Sequence, residues 1–420
     1  MNDHLNTRRQ FLQRSLALLA AAGTVPTFLN NTMIALAGPD VDLSRQSSGR
    51  DGKILVVVQL SGGNDGLNTV VPYADDAYHR ARAGLALTPR EVLKINDYLG
   101  LHPNLEGLKN LYDDGMMSVI QGVGYPNPNR SHFRSMDIWH TAQPDKEMAT
   151  SGWLGRYFDN TCEGADPHAG ISIGDSLPLS MKGERITPLA FEKPESYRYN
   201  GSATDHYKQL NSPITPAEPG IAQAANPELE FLTRTAMDAQ VSSDRITRMV
   251  RSHVPGVNYP NNELANGLRT IAAMIGGGLE TRVYYASLGG FDTHAQQRGR
   301  HDNLMRQFAD AVSAFWADLR HQGNDDRVLM MTFSEFGRRV AANASGGTDH
   351  GAAAPMFLFG KHIEPGILGK HPSLTDLDQG DLKYRVDFRH IYAAILEKWL
   401  ETPSRDILGG QFKPVPVIKA

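Results

Sequence analysis

Acids and imidazoles recur in this sequence at one kind of place, the turn beside a buried apolar run. Asp65 stands in "LSGGNDGLN", directly after Ile54-Leu55-Val56-Val57-Val58. Asp292 and His294 stand in "GGFDTHAQQ", Glu335 in "TFSEFGRR", and Asp349 with His350 in "GGTDHGAAAP". Carboxylates gathered without partners repel one another and shift their pKa values. A divalent cation resolves that conflict, and imidazole nitrogen with carboxylate oxygen is a common zinc or manganese shell. These six residues are read as metal ligands, with zinc, manganese, calcium or magnesium as the ion.

Each of the six has a plainer alternative. Asp65 could accept hydrogen bonds from turn amides. Asp292 and His294 are one residue apart and face the same side of an extended segment, yet Asp292 could instead cap the helix that follows. Glu335 could pair with Arg338 or Arg339. Asp349 and His350 sit among Gly346, Gly347 and Gly351, a setting richer in glycine than a surface histidine needs.

A nucleophile is available in "PNPNRSHFRS". Ser131 begins a helix there, and its ordinary role is the N-cap. A helix N-terminus also stabilises an anion, such as a phosphate or sulfate ester or an ionised hydroxyl. Arg130, His132 and Arg134 add positive charge beside it. Ser131 is therefore the candidate catalytic residue, with Arg130 and His132 as substrate-binding candidates. Asn64 could position an ester oxygen, although amides in glycine turns are usually structural. Other signatures are missing: "SGGNDG" lacks the lysine of a phosphate-binding P-loop and the glycine spacing of a dinucleotide fingerprint. No Gly-x-Ser-x-Gly elbow joins a strand to a helix.

The elements that must position these residues alternate. The apolar run at 54–60 reads as a strand. "HPNLEGLKNLYDDG" reads as a helix stopped by Gly115, and "MMSVIQGVGY" as a second buried strand. Strand, helix, strand argues for a parallel sheet, whose carboxyl ends share one edge where distant residues meet. Residues 176–262 break the rhythm with Pro, Ser, Thr and Asn and read as an insertion or cap, with a helix over 227–252. Strands at 282–288, 328–333 and 355–360 follow, with a long amphipathic helix before the second of these and a closing helix, "VDFRHIYAAILEKWL".

The first residues carry an address. Arg8-Arg9, the apolar "LALLAAAGTV" and Ala35-Leu36-Ala37 read as a twin-arginine export signal cleaved after Ala37. The apolar run, broken by Gly23 and Pro26, is too short for a comfortable membrane span. The expected partner is thus the twin-arginine translocation machinery, the destination periplasmic or extracellular, and no stable membrane span remains after cleavage. The rest, 38–420, reads as one domain. Of the 420 residues, 40% are apolar and 21% charged, which calls for a packed core, and a net charge of -4 gives no support for a nucleic-acid partner. A single cysteine, Cys162, excludes an internal disulfide and any multi-cysteine zinc site.

"QLSGGNDGLNTVVPY", "PNRSHF", "GGFDTHAQQ", "TFSEFGRRVAAN", "GTDHG" and "VDFRHIYAAILEKWL", in that order, resemble the domain-of-unknown-function 1501 family. That family is grouped with the alkaline phosphatase and sulfatase superfamily. The resemblance implies an α/β fold, a mostly parallel central sheet with helices on both faces, and two metal ions at the strand ends. Asp65 resembles the superfamily's first-strand metal aspartate, and Ser131 its helix-start nucleophile. Asp292 and His294 resemble the pair at one metal, and His350 the late histidine ligand. Two departures stand out. Phe336 follows Glu335 where a histidine or asparagine is usual, and the Cys-x-Pro-x-Arg motif of sulfatases is absent, which leaves a single metal, or none, as open alternatives. The expectation is an exported metal-dependent hydrolase of small anionic phosphate or sulfate esters, attacked by Ser131 or a metal-bound water. The alternative is a non-catalytic exported envelope or binding protein that keeps the fold.

Overall fold

A computed structural model describes residues 52–161, 167–193 and 242–419. The twin-arginine segment, the leader to residue 51, Cys162 and residues 194–241 of the expected insertion lie outside the described residues.

Six apolar residues and Gln59 build β1, Ile54–Leu60, and all seven are buried. A strand buried at every position belongs in the middle of a sheet covered on both faces. β1 does lie there. The sheet also contains β2 Met117–Gly124, β3 Gly170–Ile173, β4 Leu189–Phe191, β5 Val283–Leu288, β6 Val328–Phe333, β7 Ala354–Phe359, β8 Gly366–Leu368 and β9 Val386–Asp387. Their order is β8-β2-β7-β6-β1-β5-β3-β4, with β9 also on β2. β1 runs in register from Leu55 opposite Val283 to Leu60 opposite Leu288, and from Ile54 opposite Val328 to Gln59 opposite Phe333.

Two layers of helices cover the sheet. On one face Ile54, Val56, Val58 and Leu60 pack with α1 Glu106–Asp113, α4 Glu263–Gly276 and α5 Gln297–Gln322. On the other, Leu55 and Val57 pack with α2 His132–Thr141, α3 Trp153–Thr161 and α6 Phe388–Ala394. The alternation of side chains along a strand divides the core into these two halves. The mostly parallel α/β sandwich expected from sequence is therefore the observed fold.

One strand decides where the site can form. β7 is antiparallel to both β2 and β6, while every other pairing in the sheet is parallel. The amino end of β7 thus shares an edge with the carboxyl ends of β1, β2, β5 and β6. Residues preceding β7 can meet residues following the other four.

The observed chain differs from expectation in three places. Leu189–Phe191, inside the segment read as an insertion, is the edge strand of the sheet. Two antiparallel segments, Arg338–Ala342 and Thr348–His350, form a hairpin too short for a periodic signal. The closing helix passes into a π turn over Ile395–Trp399. Within the expected 227–252 helix, residues 242–252 are described and are helical. Among the described residues, no helix is long and apolar enough to cross a membrane.

Candidate metal centre

The glycines beside the acids allow strand-end loops to touch backbone to backbone. Gly62 has φ 117°, and a Cβ there would collide with the backbone of Phe291 and Asp292. Gly347 likewise has no room for a Cβ against the backbone of Thr293 and His294. The loops after β1 and β5 and the hairpin are thereby drawn together. Gly62→Ala combines a forbidden φ with a backbone clash, so it should lower stability by more than about 1 kcal/mol. A urea midpoint equal to that of the unaltered chain would refute this.

Arg338 fastens the three loops. Its guanidinium is fully buried. Nε donates to Gly63 O at 2.7 Å, and Nη1 to Thr348 O at 2.9 Å. Nη2 donates to Gly62 O, to Phe291 O at 2.9 Å and to Asp292 Oδ1 at 2.8 Å. A planar fork can serve several acceptors at fixed angles, which a lysine cannot.

Three imidazoles converge on the same Asp292 oxygen. Nε2 of His294 and of His350 each lie 3.1 Å from Asp292 Oδ1, and His132 Nε2 lies 3.5 Å away. The two nitrogens of His294 and His350 are 2.9 Å apart. The far side of each ring is held by a group that only accepts. His132 Nδ1 donates to Glu335 Oε1 at 2.8 Å, and His350 Nδ1 to the Arg130 carbonyl at 2.8 Å. His294 Nδ1 donates to Asp349 Oδ1 at 3.3 Å. With the proton fixed on Nδ1, a neutral ring directs its Nε2 lone pair inward, the arrangement typical of metal-binding histidines. Lone pairs and a carboxylate facing one another call for a cation. His132, Asp292 and His350 offer ligand atoms within 4.8 Å of one another, and His294 adds a fourth donor beside them.

The protonation states suit such a role. Burial works to raise the Asp292 pKa, but the hydrogen bond and the charge of Arg338 lead the effects that outweigh it and hold it down to about 2. Burial lowers the pKa of His350, only partly offset by Asp292. The Asn343 hydrogen bond, ahead of smaller contributions, lowers that of Asp349. The centre is open to solvent: Asp292 and His294 side chains are 48% and 44% exposed, so a ligand can reach it.

Of the six residues read as ligands, the structure gathers Asp292, His294 and His350 at the centre. Glu335 and Asp349 instead orient rings, with Glu335 buried and also accepting from Gly62 N at 2.8 Å. Asp65 does not join them. It is fully buried and held by Arg82 and Gln297; burial pushes its pKa up, and Arg82 outweighs this so that the net shift is downward.

The substrate-binding candidates are also redistributed. Asn64 is buried and accepts from Thr69 Oγ1 at 2.9 Å. The Arg130 guanidinium is clamped by Asp381 at 2.8 and 2.5 Å, leaving its carbonyl to orient His350. His132, read as a substrate residue, is a donor of the centre. Ser131 occupies the N-cap of α2 but makes no capping hydrogen bond. Phe336, the expected departure from the superfamily pattern, is buried with its ring 4.9 Å from His132 and 4.4 Å from His350. Sequence reasoning missed His132 as a candidate metal donor and the part played by Arg338. The sequence offers His132 only as a substrate-binding candidate and Arg338 only as a possible partner of Glu335.

The family described as protein of unknown function (DUF1501) matches residues 115–406. The chain belongs to this family. All four donors of the centre lie inside the matched DUF1501 region, and Asp65 lies outside it. No curated protein matches the chain. Solved structures similar to this DUF1501 protein include an alkaline phosphatase superfamily protein from Vibrio parahaemolyticus, at 10% identity over 82% of this chain and 71% of that one, TM-score 0.34. The C-terminal periplasmic domain of EcEptC from Escherichia coli, in complex with Zn, is 11% identical over 77% of each chain, TM-score 0.32. The PsFucS1 sulfatase from Pseudoalteromonas sp. is 10% identical over 93% of this chain and 75% of that one, TM-score 0.39.

Proposed function

We propose that this DUF1501 protein is an exported hydrolase of phosphate or sulfate esters, dependent on one divalent cation held by His132, Asp292, His294 and His350. The observation that carries this reading is the fixing of three Nδ1 protons by Glu335, Asp349 and the Arg130 carbonyl, which turns three Nε2 atoms toward one carboxylate oxygen. Imidazole-rich donor sets favour zinc or manganese over calcium and magnesium, which prefer oxygen. Such a cation would polarise an ester oxygen and stabilise charge in the transition state.

The chain's own groups account for the rest. Ser131 begins α2, where backbone N–H groups and the helix dipole favour an anion. Its hydroxyl makes no capping bond and remains free to attack, with a water molecule as the other nucleophile. Ser131→Ala should lower kcat by about 10³-fold or more if the hydroxyl attacks; unchanged turnover assigns the attack to water. The proposal as a whole is tested on the mature chain by elemental analysis and by cleavage of 4-nitrophenyl phosphate and sulfate. Absence of stoichiometric metal after refolding with zinc or manganese overturns it.

Export by the twin-arginine route belongs to the same proposal, and replacing Arg8-Arg9 with lysines should leave the protein in the cytoplasm. A second reading, a non-catalytic exported binding protein, is favoured by Asp65, whose carboxylate answers to Arg82 rather than to a second cation. Under it, Asp292→Ala and His294→Ala would leave partner affinity intact.

A further inference from the structure

A cavity of about 700 Å³ opens beside the centre. Its wall includes Arg130, whose carbonyl orients His350, and Ala352, two residues past His350. That volume suits a ring-sized organic group. Its basic groups already have acidic partners. Arg130 is clamped by Asp381, and Lys383 is paired with Asp376. A free anion would find no unpaired cation among these groups. By contrast, Asn127, Asp378, Gln379 and Tyr384, all exposed residues, line the same cavity, and none of the four side chains makes a hydrogen bond or ion pair with another described residue. Two amides that both donate and accept, one carboxylate that accepts, and one phenol with a ring face are the groups that recognise vicinal hydroxyls. Asn127 and Gln379 are also two of the few non-glycine residues with positive φ, at 53° and 50°, a costly conformation that clusters at ligand sites.

We infer that this cavity binds a neutral, hydroxyl-rich group, a sugar ring, as the non-reacting part of the substrate. The inference rests on the ester-hydrolase reading for the reacting end, and on the cavity alone for the sugar. Hydroxyls would bond to Asp378, Asn127 and Gln379 while the ring's C–H face packs on Tyr384. The ester would then project past Arg130 toward the centre, so that recognition away from the reacting atoms contributes to orientation.

The test compares hexose 6-phosphates and 6-sulfates with 4-nitrophenyl phosphate and sulfate on the metal-loaded protein, beside saturation-transfer NMR with methyl hexosides. In the unaltered chain the sugar esters should show the higher kcat/KM, and the methyl hexosides should receive saturation. Tyr384→Ala and Asp378→Asn should each lower the ratio of kcat/KM for sugar ester over aryl ester at least tenfold. An unchanged ratio in both variants overturns the inference. Should neither ester class be cleaved, the hydrolase reading fails and the hexosides decide alone. Saturation present in the unaltered chain and lost in Tyr384→Ala supports the sugar site, and its absence from the unaltered chain overturns it.

Discussion

Asp292→Ala should hold zinc or manganese at least about 100-fold more weakly than the unaltered chain, because loss of an orienting partner alone costs 10–100-fold. Among the described residues, Asp292 Oδ1 is the one carboxylate oxygen opposite all three Nε2 atoms, so its removal takes away the negative charge that would offset the cation. His350→Ala should weaken binding similarly. Glu335→Gln should weaken it less, because the amide still accepts from His132 Nδ1 through its oxygen. Competition with a chromophoric chelator near pH 7 measures all three. At that pH the carboxylate is ionised, since its pKa lies near 2, and His350 is neutral, since burial holds its pKa below the ordinary value. Acidification should release the ion as the imidazoles take up protons, and never the reverse. Equal affinity in the Asp292→Ala and unaltered chains would end the proposal of a metal centre. The fold is expected to survive, because Arg338 keeps four backbone carbonyl partners.

The sequence made the sheet legible where burial wrote it plainly. β1, β2, β5, β6 and β7 are long apolar runs bounded by polar turns, and each was found within a residue or two of its observed bounds. β3 and β4 were not found, because strands of four and three residues carry little hydrophobic pattern. The site was legible as a set of strand ends, and Asp292, His294 and His350 meet there. The residues next to them were assigned by type alone. Asp65 looks like a ligand until Arg82, seventeen positions away in sequence, is seen beside it, and no local pattern marks that pairing. Glu335 and Asp349 are acids near the centre, yet which side of an imidazole a carboxylate occupies depends on backbone direction. The antiparallel course of β7 was equally hidden. It explains why an Asp-His pair that precedes its strand can meet pairs that follow theirs.

Arg338→Met should destabilise the protein by about 3–5 kcal/mol, the cost of leaving several buried acceptors without their donor after partial relaxation. The reason lies in what the guanidinium leaves behind. Carbonyls of Gly62, Gly63, Phe291 and Thr348 all accept from it, and each buried carbonyl left unsatisfied costs about 1–3 kcal/mol. Relaxation of the loops and entry of water would recover part of that sum. Arg338→Lys restores the charge without the fork and should fall between the two. Urea denaturation of the metal-free chains gives the comparison, and a loss below about 1 kcal/mol for the methionine variant would show that the loops are fixed by other contacts. The same substitution should weaken metal binding in whatever fraction stays folded, although Arg338 is not among the proposed donors. The guanidinium bridges Gly62 and Asp292 beside the backbone bond from Phe291 N to Ser61 O, so the chemistry at the strand ends draws on a cation that the chain carries within itself.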